Sequence, residues 1–175
     1  MIYKCRYHTP QGFSDILMTS DGKVLTKLLF EDFCAVEEQT ACRIEKTLPV
    51  FRETCRWLDI YFSGREPDFT PAYRLENLTP FRKKVIDAIL AIPFGSLVTY
   101  GSIANSLAEA EHGKKVSAQA VGGAVGWNPL CLIIPCHRVI GANNALTGYG
   151  GGIQNKIALL ALEGHDVRRF SVPKA

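Results

Sequence analysis

Residues 64–78, GREPDFTPAYRLENL, carry two prolines and no hydrophobic periodicity. A proline removes a backbone donor and biases the residue before it away from helix, so this stretch interrupts regular structure. The patterns on its two sides differ. On the N-terminal side, IYKCRY alternates in character, and FSDILMT and VLTKLLF flank Ser20-Asp21-Gly22, a tight-turn signal. These predict short strands within the first 45 residues. A helix is expected over 48–63, with Thr47 as its cap, Pro49 in its first turn and Gly64 as its stop. Phe51, Cys55, Leu58 and Phe62 recur at spacings of 4, 3 and 4 and form its apolar face. Beyond residue 78 the patterns are helical. The expected organisation is therefore two domains, 1–77 and 78–175, in an α+β fold.

The length of 175 residues suits two small domains or one large one. A content of 47% hydrophobic and 21% charged residues is that of an ordinary globular protein. No apolar run reaches the roughly 20 residues that span a bilayer. The N-terminus, MIYKCRYHTPQG, has charges where a signal peptide has its apolar core, which reads as intracellular. The six cysteines, at 5, 34, 42, 55, 131 and 136, form no C-x-x-C pair, and each is by default a small buried hydrophobe. A net charge of +3 permits nucleic-acid binding without arguing for it.

In the second half, Thr79 caps a helix that begins at Pro80 and carries Phe81, Val85, Ile89 and Ile92 on one face. IPFGSLVTYG reads as a turn. Thr99 caps a short helix through Ile103 and Leu107, and the polar loop EAEHGKKV leads to another starting near Ser117. Two short helices joined by a loop are compatible with a helix-turn-helix, but most such pairs bind nothing. The second helix, within SAQAVGGAVGWNP, has three glycines and almost no bulk. At ~1 kcal/mol for each helical glycine, that composition asks for a reason: close packing inside the protein, or close approach of a large flat surface from outside. A last helix, 153–163, groups Ile153, Ile157, Leu160 and Ala161 and stops at Gly164.

IIPCHRVIGANN, residues 133–144, places Cys136 beside His137. A thiol becomes a nucleophile as thiolate, and a histidine can take its proton. Adjacent side chains usually diverge, so a bridging water or a turn is needed, and a carboxylate is the usual group to orient the imidazole. Glu163 is a candidate, one of 17 acidic residues. On pattern alone the reading of Cys136 as a buried thiol after the apolar run CLII stays ahead, and Asn128-Pro129 could be no more than a turn.

The ordered blocks TPFRKKVIDAILAIPFGSLVTYGSIA, AVGGAVGWNP, PCHRVI, TGYGGG and LLALEG closely resemble the O6-alkylguanine-DNA alkyltransferase family over residues 79–164. In the first 78 residues only YFSGREPDF is familiar. The resemblance implies a small N-terminal α/β domain of ribonuclease-H-like type with an antiparallel sheet. It implies a helical C-terminal domain with a winged-helix-like helix-turn-helix that enters the minor groove of double-stranded DNA. It implies single-turnover transfer of an alkyl group from O6-alkylguanine, flipped out of the duplex, to Cys136. His137, through a water, would take the thiol proton and Glu163 would hold the imidazole. Tyr100 would help rotate the nucleotide and protonate the base, and Asn128 would support the turn after the recognition helix. The main chain at Cys136 and Val139 would read the base, and Tyr149 and Gly150 would wall its pocket. Ser117, Ala118, Gln119, Ala120, Gly122 and Arg138 would make the DNA contacts. The expected state is a monomer with no membrane association, in the cytoplasm of a prokaryote or the nucleus of a eukaryote. The transfer calls for no metal and no organic cofactor. Some relatives hold zinc in the first domain, but beyond Cys5 and His8 this chain offers neither Cys nor His over 18–30. A second departure is Gln119, where the family usually has an arginine that fills the gap left by the flipped base. Two other function classes stay open: a lesion-binding module that transfers nothing, and a cysteine hydrolase or redox enzyme with Cys131 as the nearest thiol.

Overall fold

A computed structural model describes residues 1–34, 43–44 and 48–172. The fold is mixed α/β, with two compact units. The first comprises Met1–Asn77 together with Pro129–Ile133, and the second Leu78–Asn128 and Ile134–Ala175.

In the first unit, β1 (Tyr3–Tyr7), β2 (Ile16–Ser20) and β3 (Leu25–Phe30) form the expected antiparallel sheet, and a short β4 (Arg43–Ile44) pairs parallel to β1. The strand order is β3-β2-β1-β4. All five residues of β2 are buried, Thr19 and Ser20 included, so ILMTS lacks the alternation of a strand with one solvated face. The outer edge of β3 is paired: Leu28 N–H donates to Pro129 O, and Cys131 N–H donates to Leu28 O, both at 2.8 Å. Residues 129–133 thus cover ladder groups that would otherwise be open to another strand.

Helix α1 (Pro49–Phe62) starts after Leu48, which makes no side-chain cap; the expected cap, Thr47, lies outside the described residues. Its inward face carries Phe51 and Leu58 as expected, with Trp57 and Tyr61 stacked at 5.5 Å, whereas Cys55 is only half-buried.

In the second unit, local chemistry sets the helix starts. Thr79 accepts from Arg82 N–H at 3.2 Å to open α2 (Pro80–Leu90). Thr99 accepts from Ser102 N–H at 3.0 Å to open α3 (Tyr100–Ala110), and Ser117 accepts from Ala120 N–H at 3.1 Å to open α4 (Ala118–Gly126). Each hydroxyl satisfies one of the donors that a helix start leaves over. α3 and α4 pack on each other and on α2, the arrangement expected of a helix-turn-helix. Val121, Ala124 and Val125 face inward from α4, and Ala118, Gln119, Ala120 and Gly123 are exposed.

IPFGSLVTYG is more than a turn. Val98–Thr99 forms β5, which pairs parallel with β6 (Val139–Ile140) in the register Val98↔Val139 and Thr99↔Ile140. This pairing sets the start of α3 beside the turn that carries Cys136. Helix α5 (Ile153–Leu162) sends Leu160 into a core with Ile140 and Leu146. Ala161, expected inward, is exposed, while Asn155 and Lys156 are buried. One side of α5 packs on this core and another faces the polar groups of the site.

Candidate active site

The chain bends sharply before Cys136. Pro135 sits at φ −78°, ψ 60°, and Cys136 N–H donates to Ile134 O at 2.7 Å, an inverse γ-turn. A second bend lies at Leu132, held at φ 72° with Ile133 N–H on Cys131 O at 2.9 Å. That is a strained conformation for a branched side chain, and burial of Leu132 holds it in place. CLII is thus a folded-back segment, and Cys136–Arg138 continues it as one turn of 3₁₀ helix.

Asn128, just after α4, donates from Nδ2 to Ile134 O at 2.8 Å and to Cys136 Sγ at 3.0 Å. One buried amide therefore fixes the turn and supplies an N–H to the sulfur. An N–H dipole aimed at sulfur stabilises negative charge there.

His137 is fully buried, and its Nε2 lies 2.7 Å from Glu163 Oε1. Glu163 closes α5. Burial opposes its ionisation, but the hydrogen bond from His137 and the hydrogen bonds and charge of Arg138 outweigh this and hold its carboxyl well below the usual carboxylate range. An ionised Glu163 only accepts, so Nε2 carries the proton it donates. Burial and the nearby Arg138 and Lys156 charges push His137 down despite Glu163, keeping the imidazole neutral. A neutral ring with its proton on Nε2 has its basic lone pair on Nδ1. The geometry makes His137 a base.

Arg138 corrects the sequence reading. It was expected to contact DNA, but it is buried, with Nε 2.9 Å from Glu163 Oε2 and Nη2 3.0 Å from Glu163 Oε1. Its Nη1 donates to Ile92 O at 2.8 Å. These bonds use the guanidinium to compensate a buried carboxylate, so it is not presented to a phosphate. Gly95 N–H also donates to Glu163 Oε2, at 3.0 Å.

The sulfur opens on a cleft of about 630 Å³. Its walls include Thr99, Tyr100 and Gly101 from the start of α3, Ala118, Gln119, Gly122 and Gly126 from α4, and Thr147–Gly150 opposite. Tyr100, Tyr149 and Gly150, expected at a substrate pocket, line this cleft with Cys136. Tyr100 OH donates to Thr147 O at 3.3 Å, and burial and the Cys136 charge push its pKa up, so it keeps its proton. Ser117, the cap of α4, and Ala120 are exposed and line a separate groove, and Val139 is fully buried.

Lys156 was missed. It is fully buried, donates from Nζ to Val139 O at 2.7 Å, and lies 6.0 Å from the Tyr100 ring and 5.8 Å from the Tyr149 ring. Burial lowers its pKa to about 8, against the opposing pull of a Cys136 negative charge. The available signal was its spacing: three residues from Ile153 and four from Leu160, it shares their helix face.

Residues 80–165 match the family model described as 6-O-methylguanine DNA methyltransferase, DNA binding domain. A methylated-DNA–protein-cysteine methyltransferase of Mycobacterium leprae is 38% identical over 152 residues, covering 87% of both chains. The chain belongs to the methylated-DNA–protein-cysteine methyltransferase family. Its structure agrees with that of the Mycobacterium tuberculosis O6-methylguanine methyltransferase at a TM-score of 0.80 and 36% identity, covering 93% of both chains. A second similar structure is Mycobacterium tuberculosis OGT in complex with DNA, at a TM-score of 0.74 and 35% identity, covering 97% of this chain and 94% of that one. The matched DNA-binding domain, residues 80–165, contains α2 to α5.

The Glu163 shell makes stability acid-sensitive in a defined window. Below its ordinary value of 4.5 the unfolded chain gains a proton at this carboxyl that the native chain refuses, so stability falls with pH. Glu163→Gln removes that component. Urea midpoints measured from about pH 6 to about pH 3.5 should fall less for the variant than for wild type, and equal falls would contradict the assignment.

Proposed function

We propose that the protein repairs O6-alkylguanine in double-stranded DNA by moving the alkyl group irreversibly onto Cys136. The observation that carries this is the buried thiol, bonded to Asn128, at the base of a cleft beside a neutral histidine held by an ionised glutamate. His137 takes the thiol proton through a water, and the thiolate attacks the alkyl carbon. The S–C bond forms as the C–O6 bond breaks. The electron pair of the broken bond stays on the guanine, and Tyr100 supplies the proton it needs. The product is a thioether, which has neither a carbonyl nor a good leaving group for water to attack, so each molecule acts once. Lys156 and Asn128 stabilise negative charge at the sulfur while it persists.

The target base must leave the duplex to reach this cleft. α4 would lie in the minor groove as a monomer's recognition helix, with Ser117, Ala118, Gln119, Ala120 and Gly122 near the DNA. Its glycines support an approach from outside over close packing within the protein. A side-chain carbon placed at Gly123 or Gly126 would meet no atom within 4 Å, so nothing inside the unit requires glycine there. The main chain of Cys136 and Val139 would read the base between Tyr149 and Gly150. The protein would act in the compartment that holds DNA, the cytoplasm of a prokaryote or the nucleus of a eukaryote.

Gln119 lies on the cleft rim at the position where the family usually has arginine. Glutamine can hydrogen-bond to the orphaned partner base but is shorter and uncharged. Binding and flipping should therefore be weaker than an arginine would give.

Intact mass after incubation with an O6-methylguanine duplex should rise by one methyl, ~14 Da, and Cys136→Ala should show no gain. A wild-type protein that binds the lesion without gaining mass would contradict transfer. Gln119→Arg should bind duplex more tightly and react faster; unchanged affinity and rate would remove the role given to Gln119.

A further inference from the structure

α4 separates two concavities of the second unit. Ala118, Gln119, Gly122 and Gly126 line the cleft that holds Cys136. Ser117 and Ala120 line a different groove, of about 700 Å³, together with Lys84, Glu111, Lys114 and Lys115. Its charge is one-sided. Lys84 pairs with Glu111, and Lys114 Nζ reaches the same carboxylate at 3.9 Å. Lys115 makes no ion pair among the described residues. Three ammonium groups against one carboxylate leave a net +2 in this one groove, whereas the whole chain carries +3. Lys114 and Lys115 are exposed, so their charges meet an arriving partner early.

A charge of this sign beside a small-residue helix fits a polyanion that continues past the helix. With α4 in the groove of a duplex, the flipped base sits on the cleft side and sugar-phosphate backbone passes on the other. We propose that the groove between α2 and the start of α4 seats that backbone, with Lys114 and Lys115 each neutralising a phosphate outside the lesion. Lys84, already paired to Glu111, shapes the wall. The groove would raise affinity for any duplex and keep α4 in register while the cleft selects the lesion. The inference rests on the DNA-repair reading given above.

The test is the salt dependence of binding to an undamaged duplex, followed by fluorescence anisotropy. Each phosphate that the protein ceases to neutralise reduces the slope of log K against log salt by ~0.9, so Lys114→Gln/Lys115→Gln should lower it by about 2. Lys114→Arg/Lys115→Arg keeps the charge and should keep the slope, which separates charge from folding damage. An unchanged slope in the glutamine variant, or an arginine variant whose slope drops equally, would overturn the proposal. So would a fall in the glutamine variant's reaction with free O6-methylguanine base, which has no phosphate and reports on the Cys136 cleft alone. A wild-type protein that neither binds duplex nor accepts a methyl group would instead bring down the repair reading itself.

Discussion

A buried carboxylate organises the site. An ionised glutamate inside a protein is tolerated only when its lone pairs are met by donors. Glu163 receives Nε2–H of His137, two guanidinium N–H groups of Arg138 and the backbone N–H of Gly95. These donors come from two turns, and the carboxylate itself closes α5. The position of each is therefore tied to the others through one charge. Removing a single partner would leave the rest of the shell with an uncompensated charge, so the arrangement is held as a set. The same bonds fix the ring of His137 in the state a general base requires.

That rigidity lies beside a helix that gives up ordinary stability. Three glycines in α4 cost ~1 kcal/mol each relative to alanine. The Ser117 cap and the inward packing of Val121, Ala124 and Val125 offset this. The outward face is left thin, which suits contact with a broad surface and poorly suits a protein core. Asn128 joins the two regimes, since it follows α4 in the chain and bonds the nucleophile directly.

How much was legible in the sequence depended on whether the deciding interaction was local. The Thr79, Thr99 and Ser117 caps were readable because a hydroxyl and the N–H three residues on lie in one short window. The β2–β3 hairpin was readable from its turn. Cys136 and Glu163 were open candidates from the Cys-His adjacency, whereas Asn128 and Tyr100 gained roles only through the order of several motifs. The β5–β6 pairing was not readable, because two-residue strands 41 positions apart leave no periodic trace (Val98 to Val139). Arg138 was misassigned because arginine is usually a surface residue, and only the fold brings Glu163 to it. Lys156 was hidden by the same habit of reading lysine as solvent-exposed.

The central claim is the protonation state of His137: neutral at pH 7, with its proton on Nε2 toward Glu163 and its lone pair on Nδ1. Long-range ¹H–¹⁵N NMR of the imidazole reads this directly. The account predicts a protonated-type shift for Nε2 and an unprotonated-type shift for Nδ1 in the wild-type protein. An imidazolium at pH 7, or the opposite tautomer, would contradict it.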